Sequence, residues 1–161
     1  MNTVKQKIII KSILLFSIFA ILAAYFIQFV LGHQPCNLCL IERVPYIVSI
    51  IVISLFLFFK KFEKIFLIVL SLVFICASLI SFYHFGIEQG FIKESLVCDL
   101  NSININLTKE SLLNELKEIK VSCKDVTFKI FGLSLATFNI FITLILGVIT
   151  IKLFLTYEKN R

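Results

Sequence analysis

The stretch Cys36-Asn37-Leu38-Cys39 is where this chain can do chemistry. A Cys-x-x-Cys spacing sets two sulfurs on one helical turn, so the pair can cycle between dithiol and disulfide with little backbone movement. It stands where the first long apolar run ends, which assigns the dithiol to a membrane surface rather than a soluble core. Arg43 follows Cys39 by four residues. On a continuous helix beginning near Cys39, the guanidinium and the positive helix end would both favour a thiolate there. Pro45 limits that reading, because a proline inside a helix clashes with the carbonyl four residues back, here Ile41, unless it lies in the first turn. Either the regular helix starts near Ile41 or the turn carrying Cys39 is distorted. The plain alternative for Arg43 is an interfacial cation beside Glu42 that snorkels to lipid headgroups.

The elements that hold these residues are membrane spans. A chain that is 59% hydrophobic and 16% charged, with 18 Phe and a mean hydropathy of +1.00, has the composition of a polytopic membrane protein. The net charge of +6 does not mark a nucleic-acid binder, since the cations fall in short clusters between apolar runs. Four such runs, Ser12 to Leu31, Ile41 to Phe59, Ile65 to Phe85 and Phe131 to Leu155, each approach the ~20 residues needed to cross hydrocarbon. The expected architecture is a single all-α domain, a bundle of four transmembrane helices joined by outer connections over about 32–40 and 86–130. The first run is longer than a signal-peptide core and lacks a small-x-small cleavage site before Cys36, so it is read as a retained span.

Orientation follows from the flanking cations. Lys5, Lys7 and Lys11 precede the first span, Lys60, Lys61 and Lys64 separate the second from the third, and Lys152, Lys159 and Arg161 close the chain. These places are expected to be cytoplasmic, with both termini inside. The connection from Gly86 to Lys129 holds six Lys but also seven acidic residues, and long loops translocate largely regardless of charge. Cys36, Cys39, Cys98 and Cys123 then share the non-cytoplasmic side, which in a bacterium is the periplasm, where disulfides persist. Cys76 falls within the third span and is expected to be a small buried hydrophobe.

Pro35-Cys36-x-x-Cys39-x-x-Glu42-Arg43-x-Pro45-Tyr46 resembles the signature of the DsbB family, the bacterial inner-membrane disulfide bond formation proteins. Tyr83-His84-x-Gly86-x-Glu88-x-Gly90 resembles that family's stretch at the outer end of the third span. Cys98 and Cys123 fall where its second pair belongs, and Gly132-Leu133-Ser134 with Asn139 resembles the opening of its fourth span. The resemblance covers essentially the whole chain. The departure is the absence of Trp after the second pair, where Phe128 and Phe138 stand; it bears on local packing rather than on chemistry.

The resemblance implies redox disulfides Cys36–Cys39 and Cys98–Cys123 in an oxidoreductase that re-oxidises a periplasmic, thioredoxin-like DsbA-type protein and passes the electrons to membrane quinone, ubiquinone or menaquinone. By that analogy Cys98 receives the partner's attack, Cys123 completes the loop disulfide, Cys36 exchanges with the loop pair, and Cys39 contacts the quinone. Arg43 would polarise a quinone oxygen and stabilise the anion that develops. His84 is a second candidate for the quinone site, although an interfacial histidine is more often a structural residue, and Glu88 is a similar case.

Between Cys98 and Cys123, Thr108 can cap a helix in which Leu112, Leu113, Leu116 and Ile119 recur at helical spacing against charged neighbours. That short amphipathic helix either lies on the outer membrane surface or packs on the tops of the spans. Two rival readings fit less well. Cysteine zinc sites use two close-spaced pairs, whereas Cys98 and Cys123 are about 25 residues apart, so no metal is expected. In a vitamin K epoxide reductase-like enzyme the loop cysteines precede the Cys-x-x-Cys; here they follow it.

Overall fold

The computed structural model describes residues 3–59, 63–93, 98, 123–124, 129–130 and 132–159. The amphipathic segment around 108–120 and Phe128 lie outside these residues, as do Lys60, Lys61 and Arg161. Among the described residues, four helices long and apolar enough to cross a membrane build an all-α bundle. They are α1 (Thr3–Phe29), a helix broken into α2 (Asn37–Ile41) and α3 (Val44–Phe58), α4 (Glu63–Glu88) and α5 (Leu135–Lys159). A two-residue hairpin, β1 (Lys129–Ile130) with β2 (Leu133–Ser134), leads into α5, and Gly132 takes the left-handed φ of 81° that its turn requires.

The helix limits have local causes. α1 begins well before Ser12, because Lys5, Lys7 and Lys11 are good helix formers that extend the apolar run by two turns. α5 begins at Leu135 rather than Phe131, because Ser134 Oγ accepts the Thr137 amide at 3.2 Å and caps the helix there. Pro45 resolves the question posed by its sequence position. The helix breaks at Glu42 and Arg43, and Pro45 occupies the first turn of α3, where its missing N–H costs no intrahelical bond. α2 is therefore a separate turn whose N-cap is Cys36, so the sulfur at its positive end is that of Cys36 and not of Cys39.

α4 and α5 make the most extensive contact in the bundle, with α1 against α3 and α3 against α4. At Gly147 the α5 backbone comes close to α4, where an added Cβ would stand 3.8 Å from Phe74. Ile53, Leu70, Phe74, Leu146 and Leu153 form the core between the spans, joined by Ile10 and Ile13 of α1. The outward faces are equally apolar: Leu15, Phe19 and Leu22 on α1 and Leu72, Leu79 and Phe82 on α4 are exposed, as lipid-facing positions must be. Cys76 is on that outward face, which corrects its expected burial: the thiol looks to lipid rather than into the bundle.

Candidate functional site

At one end of the bundle the turn of α2 brings the two sulfurs of the Cys-x-x-Cys together, Cys36 Sγ lying 2.7 Å from Cys39 Sγ with both cysteines free. The Cys39 amide donates to Cys36 Sγ at 3.3 Å, so the capping sulfur is held over the start of the turn. Cys36 is buried and Cys39 partly so. The contact with Cys39 and, after it, burial push the Cys36 thiol up from its ordinary range, while the bond to His84 pulls against them.

His84, carried by the last turns of α4, reaches Cys36 across the bundle. Its Nε2 is 3.6 Å from Cys36 Sγ, and its Nδ1 is 2.9 Å from Glu42 Oε1. Glu42 is buried at the break between α2 and α3, and Glu88 one turn along α4 lies 3.8 Å from Nε2. The sequence offered His84 as a quinone contact; the structure sets it against a cysteine, with a carboxylate fixing the ring from behind. Glu42 acquires this role only in the fold. Its legible signal was the cost of a carboxylate beside an apolar run, which requires a buried partner.

The loop cysteines come to the same place. Cys36, Leu38, Ile87 and Cys123 form one buried cluster, with Cys39, Tyr83 and Cys98 packed against it. Burial pushes the Cys123 thiol up from its ordinary range while neighbouring Cys98 draws it down. Asn37 Nδ2 donates to the Cys98 carbonyl at 3.2 Å, tying the loop to α2. All four site cysteines are thus gathered within one cluster, although 48 residues separate Cys36 from its histidine in the chain.

Glu42 and Arg43 keep right-handed helical dihedrals across the break between α2 and α3, so Arg43 follows Cys39 by about one turn, and its side chain is held on α1. Its Nη1 donates to Gln28 Oε1 at 2.7 Å, and its guanidinium lies 5.2 Å from the Tyr25 ring centre, both on α1. Arg43 and Cys39 nonetheless border one cavity of about 430 Å³, walled by apolar α1 side chains including Phe16, Ala20 and Ile27, with His84 and Asn139 on the far side. Asn139 accepts from Tyr46 and donates to Ser81 Oγ at 2.8 Å, fastening α3, α4 and α5 beside the cavity. Gln28, Tyr25 and Asn139 had no assigned role in the sequence. Gln28 was detectable only as the lone amide in the outer half of an apolar span.

The model of the family described as disulfide bond formation protein DsbB matches residues 6–153. The chain is also similar to an uncharacterized protein, RP370, of Rickettsia prowazekii (strain Madrid E), with 26% identity over 98% of this chain and 92% of that protein. No solved structure matches the chain.

Proposed function

Because the chain belongs to the DsbB family of membrane thiol oxidoreductases that serve disulfide bond formation, we propose that it re-oxidises a soluble, thioredoxin-like DsbA-type dithiol protein and delivers the electrons to membrane quinone. The observation that carries this reading is the position of Cys123, which shares one buried cluster with Cys36 while Cys98 and Cys39 pack against it. A disulfide relay needs each released thiolate to stand next to the following disulfide.

The steps follow from that placement. A partner thiolate attacks half-buried Cys98 of the loop disulfide, and Cys123 leaves as thiolate beside Cys36. Cys123 then attacks Cys36 Sγ, and Cys39 leaves as thiolate at the cavity wall. The partner's second thiol displaces Cys98, and Cys98 attacks Cys123 to release Cys36. The net exchange converts partner dithiol and Cys36–Cys39 disulfide into partner disulfide and Cys36, Cys39 dithiol, with the loop pair restored. His84 Nε2 is placed to share the proton of Cys36, and Glu42 holds the ring for that task.

The cavity suits a quinone ring: its volume lies within the ~300–1,000 Å³ usual for ligand sites, and its walls are apolar with few polar groups. Cys39, Arg43, His84 and Asn139 would surround the head group, with the α1 side chains along its flank. Bound there, ubiquinone or menaquinone supplies the acceptor for two electrons and two protons. Arg43, fixed by Gln28 and Tyr25, presents positive charge where an oxygen would gain electron density.

The lysines of the opposite end, Lys7, Lys64 and Lys159 among them, support an orientation with that end cytoplasmic and the cysteines on the periplasmic side of the bacterial inner membrane. Anaerobic reduction of quinone by the purified protein, supplied with a reduced thioredoxin-like partner, tests the reading. Stoichiometric quinol and partner disulfide are expected. Partner oxidation without quinol, or neither product, would refute it.

A further inference from the structure

We propose that the reduced protein binds one thiophilic d10 cation, Zn²⁺ or a chemical equivalent, through Cys36 Sγ, Cys39 Sγ and His84 Nε2. These three donor atoms all lie within 4.8 Å of one another. The separation of Cys36 Sγ from His84 Nε2 is 3.6 Å. Two ligands held at tetrahedral angles, with Zn–S about 2.3 Å and Zn–N about 2.0–2.1 Å, stand about 3.6 Å apart. The two sulfurs, now 2.7 Å apart, must open to about 3.8 Å, a movement within reach of a side-chain rotation at partly buried Cys39.

The surroundings complete the donor set. Glu42 Oε1, 2.9 Å from Nδ1, would accept the ring N–H on that side in the metal-binding tautomer, with Nε2 then the ligand atom on the Cys36 side. This is the carboxylate–histidine arrangement that orients metal-bound imidazoles. The Cys39 amide already donates to Cys36 Sγ and would do the same to a metal-bound thiolate. Arg43, the cation of the cavity, is held on Gln28 and Tyr25, while the carboxylates of Glu42 and Glu88 stand on the cation's side of the balance. Cys36, Cys39 and His84 all line the cavity, which supplies an entry path.

Binding exchanges two S–H protons for one dication, and no electrons move. Oxidation to the Cys36–Cys39 disulfide removes both thiolates, so cation and disulfide exclude each other. The cation is therefore a ligand of the reduced form and not a resident cofactor. That it blocks turnover rests on the relay proposed above; that it binds does not.

The test uses the full chain in lipid nanodiscs, reduced, freed of reductant without oxygen, and titrated with Zn²⁺ against a chromophoric chelator. Co²⁺ serves as a spectroscopic stand-in. One Zn²⁺ per reduced chain and none per oxidised chain are expected, with thiolate-to-cobalt charge transfer and the visible bands of a tetrahedral site. A Cys98→Ser, Cys123→Ser double variant should bind as the wild type does, and Cys39→Ser should lose the charge-transfer band. Glu42→Gln, which retains shape, should weaken binding about 10- to 100-fold. No Zn²⁺ on the reduced wild type, equal binding to the oxidised form, or loss of the site in the loop double variant would each overturn the proposal. Quinone reduction without Zn²⁺ binding would remove this inference alone; Zn²⁺ binding without quinone reduction would remove the relay alone.

Discussion

Polar side chains in the middle of the spans and polar side chains at the cysteine-bearing end solve the same problem in opposite ways. Within the spans, Ser71, Thr143 and Thr150 each donate to a carbonyl three or four residues back on their own helix. Such hydroxyls are satisfied wherever the helix sits and specify little about its neighbours. At the cysteine end the bonds run between helices: Arg43 to Gln28, His84 to Glu42, Tyr46 to Asn139 and Asn139 to Ser81. Ser49 to Ser17 is an exception among the mid-span groups, a cross-helix bond at 2.9 Å. The body of the bundle is thus held by packing that tolerates exchange, and its end by residue-specific contacts that set distances between reacting atoms.

The sharpest break in that comparison is Cys39→Ser, which should abolish quinone reduction while leaving one round of disulfide transfer from Cys98 and Cys123 to the partner. Single-turnover assays with and without quinone separate the two. Partner oxidation and quinone reduction failing together would contradict the division of labour between the pairs.

Arg43→Met should follow, lowering quinone-linked kcat/KM by about 10²–10³, the usual cost of one preorganised charge donor. Gln28→Ala should act through Arg43 and cost less, about tenfold, with the partner-side KM unchanged in both. Steady-state kinetics varying each substrate in turn measures the split. An effect confined to the partner side would show that Arg43 does not face the quinone.

Asn139→Ala and the near-isosteric Thr150→Val, chosen because Thr150 is fully buried, compare the two kinds of polar group directly. Loss of the cross-helix amide should destabilise the bundle by about 1 kcal/mol, within the range of ~0.6–1.7 kcal/mol for membrane hydrogen bonds. Loss of the self-satisfied hydroxyl should change stability by less than about 0.5 kcal/mol. Reversible unfolding in mixed micelles gives both values, and equal effects would erase the distinction. Smallest of all, Cys76→Ala should leave turnover within about twofold of wild type, because that thiol is on the outward face away from the cluster.

Hydropathy is a property of consecutive residues, so the four apolar runs, the place of the Cys-x-x-Cys at the end of one of them and the inventory of titratable groups were readable from the chain alone. A resemblance resting on Cys36, Cys39, Glu42, Arg43 and Pro45 was equally local, and the family match over residues 6–153 agrees with it. Pro45 signalled a break but not its form, because a proline is tolerated in a first turn and the residues before it can end one helix or distort another.

What stayed illegible was rotation. The spans are apolar around most of their circumference, so periodicity does not mark the face that turns inward, and Cys76 was accordingly assigned to the wrong side. For the same reason nothing in the chain linked His84 to Cys36 or Arg43 to Gln28 and Tyr25, and the exchange of Cys36 with the loop pair was implied by the family resemblance alone. Those pairs come from different helices and loops, and only the packing of α4 on α5 and of α1 on α3 sets how each helix is turned. The residue types came from the sequence, but the distances between them, which determine whether a proton or a disulfide can pass, are products of the tertiary structure.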